Sequence, residues 1–306
     1  MLCVPCYMNI TKAIIPVAGL GTRLLPATKA QPKEMLTIVD KPVIQYIVEE
    51  AVRSGIKQIF FITSQTKRAV EDHFDYNFEL EYRLKKAKKK ESLKTIQALS
   101  KLADFIFIRQ KEPKGNGDAI LCAKEFVKNE PCAVMFGDDI IDAKTPGLSQ
   151  LIKVFQKYGD SVIAVQRVPK KEIQHFGSVK VVRLEERIYQ VEAIVEKPEP
   201  ENAPSNLGVV GRYIITPELI RKLEEVHLAR GKELGITDAF RALLKIKPVY
   251  ACEFEGKWYT CGDKIGFLKA NFAFALKNKN LRKEIKKFLR TLPSPLIKGE
   301  IKRGLF

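Results

Sequence analysis

Residues 12–23 read KAIIPVAGLGTR, and this stretch decides the fold. Its apolar first part is rich in β-branched residues and predicts a buried β-strand over Lys12–Ala18. The strand runs into Ala18–Arg23, where two glycines leave the main chain unobstructed and predict a turn. The chain therefore enters its first turn directly from a buried strand.

A helix and a second strand follow this turn. Apolar residues recur at the spacing of a buried helical face from Val43 to Val52, Gly55 is placed to end the helix, and the next apolar run is Gln58–Thr63. Strand, helix and strand in this order predict a βαβ crossover. Further strands, separated by helical patterns, are predicted at Asp104–Arg109, Cys132–Phe136 and Ser161–Val168. The sequence thus predicts an α/β fold with a Rossmann-like, mixed but mostly parallel sheet flanked by helices.

The pattern changes after Val168. Strands joined by short connections, which predict an antiparallel insertion beside the main sheet, follow at Ser178–Arg183, Tyr189–Val195 and Val209–Ile215. The remaining predicted elements are a strand at Val249–Glu253 and helices at Pro217–Val226, Asp238–Lys245, Asp263–Lys277 and Leu281–Leu292. We expect one domain over residues 12–292, after a leader of residues 1–11 and before a loose tail of residues 293–306.

Composition and charge limit the class of protein. No apolar run approaches the roughly 20 residues of a membrane-spanning helix, and the first residues lack a secretion signal, so we expect a cytoplasmic protein without a membrane partner. Six scattered cysteines without the spacing of a disulfide scaffold agree with this location. Much of the net charge of +17 lies in two helical stretches, Arg83–Lys101 and Lys277–Arg290. Aromatic residues are not interleaved there, which favours a solvated face over a nucleic-acid partner, although charge alone keeps that alternative open.

Three cations follow the glycine-rich turn within eleven residues: Arg23, Lys29 and Lys33. Bare backbone N–H groups let a base edge or phosphate oxygens approach, and the cations suit a triphosphate whose bridging oxygen gains charge as pyrophosphate leaves. Arg23 and Lys33 are the candidates to hold that leaving group. The turn matches neither the P-loop string nor the dinucleotide fingerprint, which needs a third glycine. A tight turn with surface cations is the structural alternative.

Two further segments carry candidate chemistry. A buried strand ends in Gly137-Asp138-Asp139, at the sheet edge where open parallel sheets bind ligands, so Asp138 is a candidate ligand for Mg²⁺. Residues 195–198 read VEKP; Glu196 can accept hydrogen bonds from sugar hydroxyls while Lys197 pairs with a phosphate. The structural alternative for residues 137–139 is a turn that carries two acids, and for residues 195–198 it is an exposed ion pair.

These segments together resemble a known family, the bacterial UTP–glucose-1-phosphate uridylyltransferases of the sugar nucleotidyltransferase superfamily. The resemblance runs from about Lys12 to about Asn278, and its most specific string is PATKAQPKEML at residues 26–36. Other strings that carry it lie at residues 18–23, 40–46, 137–138, 196–198, 204–208 and 211–213. The family implies the nucleotide-diphospho-sugar transferase fold.

The resemblance also implies a reaction and a site. UTP and α-D-glucose 1-phosphate would give UDP-glucose and pyrophosphate, with Mg²⁺ as cofactor and direct attack of the sugar phosphate on the α-phosphorus. Asp138 would bind the metal, and Arg23 and Lys33 the triphosphate. The nucleotide site would be formed by Ala18, Gly19, Gly21, Glu34, Gln110 and Gly115. The sugar site, within about residues 169–262, would be formed by Gly177, Glu196, Lys197 and Val209. A homodimer or homotetramer is expected.

Three positions depart from the family pattern. Thr260 stands where relatives carry an aspartate proposed as a second metal contact, Asp118 where a histidine is expected, and Gly235 where glutamine is common. Either Asp138 suffices with phosphates and water, or Asp263 assists.

Two alternatives to this reading stay open. One is a thymidylyltransferase or another sugar-1-phosphate nucleotidyltransferase of the same fold. The other is a non-catalytic homologue that binds a nucleotide sugar. The retained Arg23, Lys33, Asp138 and Lys197 argue against the second alternative.

Overall fold

A computed structural model describes residues 9–226 and 232–291. The predicted tail, residues 293–306, and most of the predicted leader lie outside the described residues. Ile10, near the end of that leader, is buried against the body of the protein. The backbone oxygen of Thr11 accepts hydrogen bonds from the N–H groups of Lys57 and Gln58, at 2.8 and 3.1 Å. The last residues before the first strand are thus tied to the sheet.

The strands of the described residues are β1 Lys12–Pro16, β2 Thr37–Ile38, β3 Lys41–Pro42, β4 Gln58–Thr63, β5 Asp104–Arg109, β6 Cys132–Met135, β7 Asp139–Asp142, β8 Val162–Arg167, β9 Ser178–Glu185, β10 Ile188–Val195, β11 Leu207–Ile215, β12 Tyr250–Glu253 and β13 Lys257–Thr260. Nine of these strands form one sheet in the order β5-β4-β1-β6-β11-β8-β12-β10-β9. Within this sheet β10 and β11 run against the other strands. The prediction of a mixed, mostly parallel sheet is confirmed.

Helices cover both faces of the sheet. They are α1 Val43–Arg53, α2 Arg68–Phe74, α3 Phe78–Lys86, α4 Lys90–Leu99, α5 Asn116–Cys122, α6 Lys124–Val127, α7 Gly147–Tyr158, α8 Pro217–Glu225, α9 Ile236–Leu243, α10 Lys264–Lys277 and α11 Lys279–Thr291. Side chains alternate along β1, so that Ile15 packs into the core with α1 and α7, and Ile14 into the core with α8 and α9. Over residues 9–226 and 232–291, no helix has both the length and the apolar character needed to cross a bilayer.

The antiparallel strands differ from the prediction in where they lie. β10 and β9 extend one edge of the main sheet, but β11 lies in its centre, between β6 and β8. Nearly every residue of β11 is buried, and its backbone groups pair on both sides, so an edge position would leave apolar surface and backbone donors without partners.

The structure adds detail that the sequence pattern did not show. The lysine-rich stretch Arg83–Lys101 is divided into α3 and α4, with Lys88 in the left-handed region at φ 56° between them. A two-stranded antiparallel sheet joins β7 to β13, with Thr260 opposite Asp139. The Gly137-Asp138 segment therefore lies between two strands, β6 and β7, of different sheets.

Candidate active site

The loops that follow β1, β4, β5 and β6 meet at one edge of the main sheet. These four strands are adjacent and parallel, so their carboxyl ends point the same way. The N–H of Val17 donates to the carbonyl oxygen of Ile62, and that of Gln110 to Thr63, both at 2.9 Å. The glycine-rich turn and the segment after β5 therefore flank the end of β4, where a ligand of an open α/β sheet is expected.

The two glycines of the turn have different surroundings. Gly21 has φ 68°, its oxygen accepts from Thr28 Oγ1 at 2.8 Å, and a Cβ there would lie 3.3 Å from side-chain carbons of Thr28 and Lys33. The fold itself thus favours glycine at position 21. A Cβ at Gly19 would meet nothing within 4 Å, so the protein leaves open space beside that backbone.

Lys33 and Asp138 form an ion pair at the centre of this edge, with 2.6 Å between Lys33 Nζ and Asp138 Oδ2. The side chain of Arg23 reaches the same place, because a Cβ on Gly262 would lie 2.6 Å from Asp138 Oδ2 and 3.1 Å from Arg23 Nη2. Only a residue without a side chain leaves room for both groups. Two cations predicted from the sequence are thus brought to the predicted carboxylate.

The ion pair keeps both of its groups charged. Burial by itself would raise the pKa of Asp138, but Lys33 and then Arg23 outweigh this effect and hold the pKa below its ordinary value. Burial by itself would lower the pKa of Lys33, but Asp138 and Glu34 hold that pKa above its ordinary value. Near neutral pH the site therefore presents an ionised carboxylate between two cations.

Asp138 suits a divalent cation whose other ligands come from phosphate oxygens and water. No group of three or more His, Cys, Asp or Glu side chains suited to a metal occurs within the described residues. Asp263 caps α10 by accepting from Gly266 N at 2.9 Å, so that carboxylate already has a structural task. A small hard cation such as Mg²⁺ is commonly held by one carboxylate together with phosphate oxygens and water, and the donor set fits this description.

The sequence analysis did not predict a buried network that lies beneath the Gly137-Asp138 segment. Arg212 is fully buried, with its Nη2 2.9 Å from Glu50 Oε2 and 2.5 Å from the backbone oxygen of Asp139. The Asp139 carboxylate accepts from Trp258 Nε1 at 2.7 Å and from the N–H of Gly211 at 3.2 Å. A charged residue inside the apolar strand LGVVGRYII was the signal that could have revealed it. The network fixes the backbone that carries Asp138.

The residues predicted for the sugar phosphate lie together. The N–H of Val209 donates to Gly177 O at 2.8 Å, and a Cβ on Gly177 would lie 3.5 Å from Glu196 Oε2. Lys197 has φ 43°, uncommon for a residue with a side chain, and its Nζ is 3.8 Å from Glu196 Oε1. Thr237, which is not among the predicted site residues, donates from Oγ1 to Glu196 Oε2 at 2.8 Å.

Trp258 connects the two parts of the site. Its indole N–H binds Asp139, next to the candidate metal ligand, and its ring packs edge-on against Phe176 with 4.7 Å between centroids. Phe176 precedes Gly177, and its oxygen accepts from the N–H of Lys197 at 3.1 Å. The carboxylate turn and the sugar segment are therefore held in one rigid arrangement.

The remaining predicted nucleotide residues are buried or half-buried. Ala18 is buried, and Glu34 is 1% exposed with an ion pair to Lys67 at 2.9 Å. Gln110 donates from Nε2 to Asp118 Oδ2 at 2.7 Å and to Gly115 O at 3.2 Å. Asp118, one of the departures from the family pattern, is thus bonded to a predicted site residue.

Comparisons with known proteins identify a family, similar sequences and similar folds. A family model described as nucleotidyl transferase matches residues 12–276. The UTP–glucose-1-phosphate uridylyltransferase of Bacillus subtilis (strain 168) is 51% identical over 93% of this chain and 97% of that relative. The UTP-bound UGPase from Acinetobacter baumannii superposes with a TM-score of 0.85 at 39% identity, over 93% of this chain and all of that one. A UDP-glucose pyrophosphorylase complexed with UDP-glucose gives a TM-score of 0.81 at 40% identity, over 88% of this chain and all of that one.

Proposed function

This chain belongs to the nucleotidyl transferase family, and we propose that it transfers a uridylyl group from UTP to α-D-glucose 1-phosphate, which forms UDP-glucose and releases pyrophosphate. The observation that carries the proposal is the cluster of Lys33, Asp138 and Arg23 at the ligand-binding edge of the sheet. The relatives named as this enzyme match almost the full chain, which favours it over a thymidylyltransferase.

In the proposed reaction, a phosphate oxygen of the sugar phosphate attacks the α-phosphorus of UTP. The bond from that phosphorus to the bridging oxygen breaks, and pyrophosphate leaves with the electron pair. The enzyme forms no covalent intermediate, so positioning and charge neutralisation provide the rate enhancement. Arg23 and Lys33 stabilise the charge that develops on the leaving group; Lys33 has N–H groups beyond the one directed at Asp138.

We assign Asp138 to hold Mg²⁺ together with phosphate oxygens of the substrate. The bound ion would supply positive charge against the phosphates. The two neighbouring cations outweigh the effect of burial on the pKa of Asp138, so its carboxylate is ionised before any ligand arrives. This arrangement explains how a site with Thr260 in place of a second carboxylate remains suited to the reaction.

We assign the sugar phosphate to the site formed by Gly177, Glu196, Lys197 and Val209. Thr237 occupies Oε2 of Glu196, which orients the other oxygen towards Lys197. A carboxylate oxygen beside an ammonium group offers an acceptor for a sugar hydroxyl and a cation for the adjoining phosphate. The open space beside Gly19 suits a base or ribose packed against the backbone.

Release of pyrophosphate tests the proposal. Purified protein is given magnesium, one of UTP, dTTP, ATP, CTP or GTP, and a panel of sugar 1-phosphates. Release with UTP and glucose 1-phosphate, and its loss on chelation of the metal, are expected. Preference for dTTP would support the thymidylyltransferase alternative, and no release with any pair would support the non-catalytic homologue. A cytoplasmic location, the absence of a nucleic-acid partner and assembly as a homodimer or homotetramer stay predictions.

A further inference from the structure

Gln110 is held in one amide orientation by two groups that can only accept hydrogen bonds. Its Nε2 donates to the Asp118 carboxylate at 2.7 Å and to the carbonyl oxygen of Gly115 at 3.2 Å. Reversal of the amide would place Oε1 against both acceptors and would lose both hydrogen bonds. The partners therefore decide which way the amide faces.

The remaining polar atom of this side chain is Oε1. Gln110 is 5% exposed, yet within residues 9–226 and 232–291 no buried side-chain nitrogen or oxygen lacks a hydrogen-bond partner. Both side-chain hydrogen bonds of Gln110 within the described residues are made by Nε2, so Oε1 has no partner there. Since no buried atom lacks a partner, Oε1 is the atom of this side chain that reaches the surface. Its backbone N–H binds Thr63 O, which places it at the ligand-binding edge of the sheet.

We propose that Asp118 is a positioning residue that keeps Gln110 as a hydrogen-bond acceptor and thereby makes the site prefer uracil over cytosine. Uracil carries a hydrogen on N3, which Oε1 can accept, whereas N3 of cytosine is itself an acceptor and would face Oε1 with two lone pairs opposed. A site built for one hydrogen-bonding pattern rejects the other because polar groups are left unpaired. The inference rests on the proposed function, since it concerns the base of the same nucleotide.

The support of Asp118 is rigid. It lies in the first turn of α5, whose Gly117 N–H donates to Leu234 O at 2.8 Å and whose Asn116 Oδ1 accepts from Ile236 N at 2.7 Å. A histidine, the residue expected at position 118, has one nitrogen that donates and one that accepts when neutral. A carboxylate only accepts, so the aspartate of this chain removes that ambiguity.

The test compares Asp118→Asn with the control Glu112→Gln. The asparagine has nearly the same shape but can donate to Oε1, which allows the reversed amide. Glu112 lies on the loop between Gln110 and α5 and pairs with Lys114, whereas the Gln110 amide donates to Asp118 and Gly115, so the control variant removes the same charge and keeps both partners of the amide. Affinities for UTP, CTP and dTTP are measured by calorimetry, and kcat/KM for each is measured with glucose 1-phosphate.

We expect the preference of the Asp118→Asn variant for UTP over CTP to fall about tenfold, as for one exchanged polar contact. The preference for UTP over dTTP is expected to stay constant, because thymine carries the same N3–H. The control should keep all three ratios. Equal losses for UTP and CTP would show an effect of charge or folding and would overturn the positioning role, as would an unchanged ratio.

Binding and turnover separate this inference from the proposed function. If the unaltered protein releases no pyrophosphate but binds UTP in preference to CTP, and Asp118→Asn reduces that preference, the reaction is wrong and the positioning role holds. If turnover occurs and the ratio is unchanged in the variant, only the positioning role is wrong. An unaltered protein that binds UTP and CTP equally would also overturn it.

Discussion

Lys33 Nζ lies 2.6 Å from Asp138 Oδ2, although the two residues are 105 positions apart in the chain. The lysine lies just beyond the glycine-rich turn and the aspartate just beyond β6, so their contact requires β1 and β6 to be neighbours in the sheet. Side-chain exposures of 18% and 16% leave the pair accessible to a ligand while limiting the water around it. Charges fixed before a reaction begins need little reorganisation during it, which makes such a pair suited to phosphoryl chemistry.

The Asp138→Asn variant tests the metal assignment. We expect kcat/KM for UTP to fall by ~100-fold or more, because the charge that binds the cation and orders Lys33 is removed. Thermal unfolding of the same sample checks that the fold is intact. Activity is assayed at several magnesium concentrations, since a weakened metal site responds to added metal.

Asp142→Asn is the matched control for this variant. Asp142 ends β7, four residues beyond Asp138, and pairs with Lys277 away from the cluster. Its variant should retain nearly full activity. Unchanged activity in Asp138→Asn, or an equal loss in both variants, would contradict the metal assignment.

The Lys197→Ala variant tests the sugar side. Loss of a charged hydrogen bond to phosphate should raise the KM for glucose 1-phosphate by ~10–100-fold and leave the affinity for UTP unchanged. Lys180→Ala is the control, because Lys180 is exposed and pairs with Glu192 on the neighbouring strand. Initial rates over a grid of both substrates provide the two constants. A defect confined to UTP would mean that the nucleotide and sugar sites are assigned the wrong way round.

The pattern of apolar residues predicted the strand bounds well where polar residues mark both ends of an apolar run. Gln58–Thr63 and Asp104–Arg109 match β4 and β5 residue for residue, because a polar or charged residue stands at each end of both runs. The central place of β11 was not predicted, because the order of strands depends on pairing between distant segments.

The candidate site was predictable to the extent that its residues lie in motifs. Arg23, Lys33 and Asp138 each follow a strand or a glycine-rich turn. The carboxyl ends of parallel strands lie at the same edge of the sheet, which brings the three side chains together. Thr237 and Trp258 act through contacts made across the fold, and no local spacing indicates such contacts.

His73 is expected to make stability depend on pH. It lies on α2 with Nε2 3.1 Å from Gln45 Oε1, and burial lowers its pKa below 6.5. Below pH 6.5 this histidine binds a proton in the unfolded chain but not in the folded protein. The contribution of neutral His73 to the free energy of unfolding is therefore complete above pH 6.5 and declines as the pH falls towards the pKa of the folded protein.

Urea unfolding from pH 7.5 to 5 measures this effect as the difference between the unaltered protein and His73→Gln. The advantage of the unaltered protein should shrink as the pH falls, by no more than ~1.4 kcal/mol per pH unit for one proton. His175→Gln alters an exposed residue and controls for the change of side chain. A difference that is constant with pH would contradict the assignment to His73.

The Glu50→Gln variant tests the buried network under the active-site turn. Glu50 Oε1 accepts from the N–H of Leu148 at 2.9 Å, and its carboxylate balances the fully buried Arg212. Neutralising Glu50 removes the only carboxylate that the guanidinium contacts directly within the described residues, and breaking such a buried pair lowers the free energy of unfolding by ~3–5 kcal/mol. Chemical denaturation measures the loss.

Glu49→Gln provides the comparison, because Glu49 is the preceding residue of α1 and pairs with Lys41 at a partly exposed position. We expect ~1 kcal/mol or less for that pair. Arg212 binds the backbone oxygen of Asp139, so Glu50→Gln should also lower kcat below the unfolding temperature, whereas Glu49→Gln should not. Equal losses of stability in the two variants would show that the buried pair is worth no more than a surface pair. A full kcat in Glu50→Gln would show that the turn holds Asp138 in place without the network.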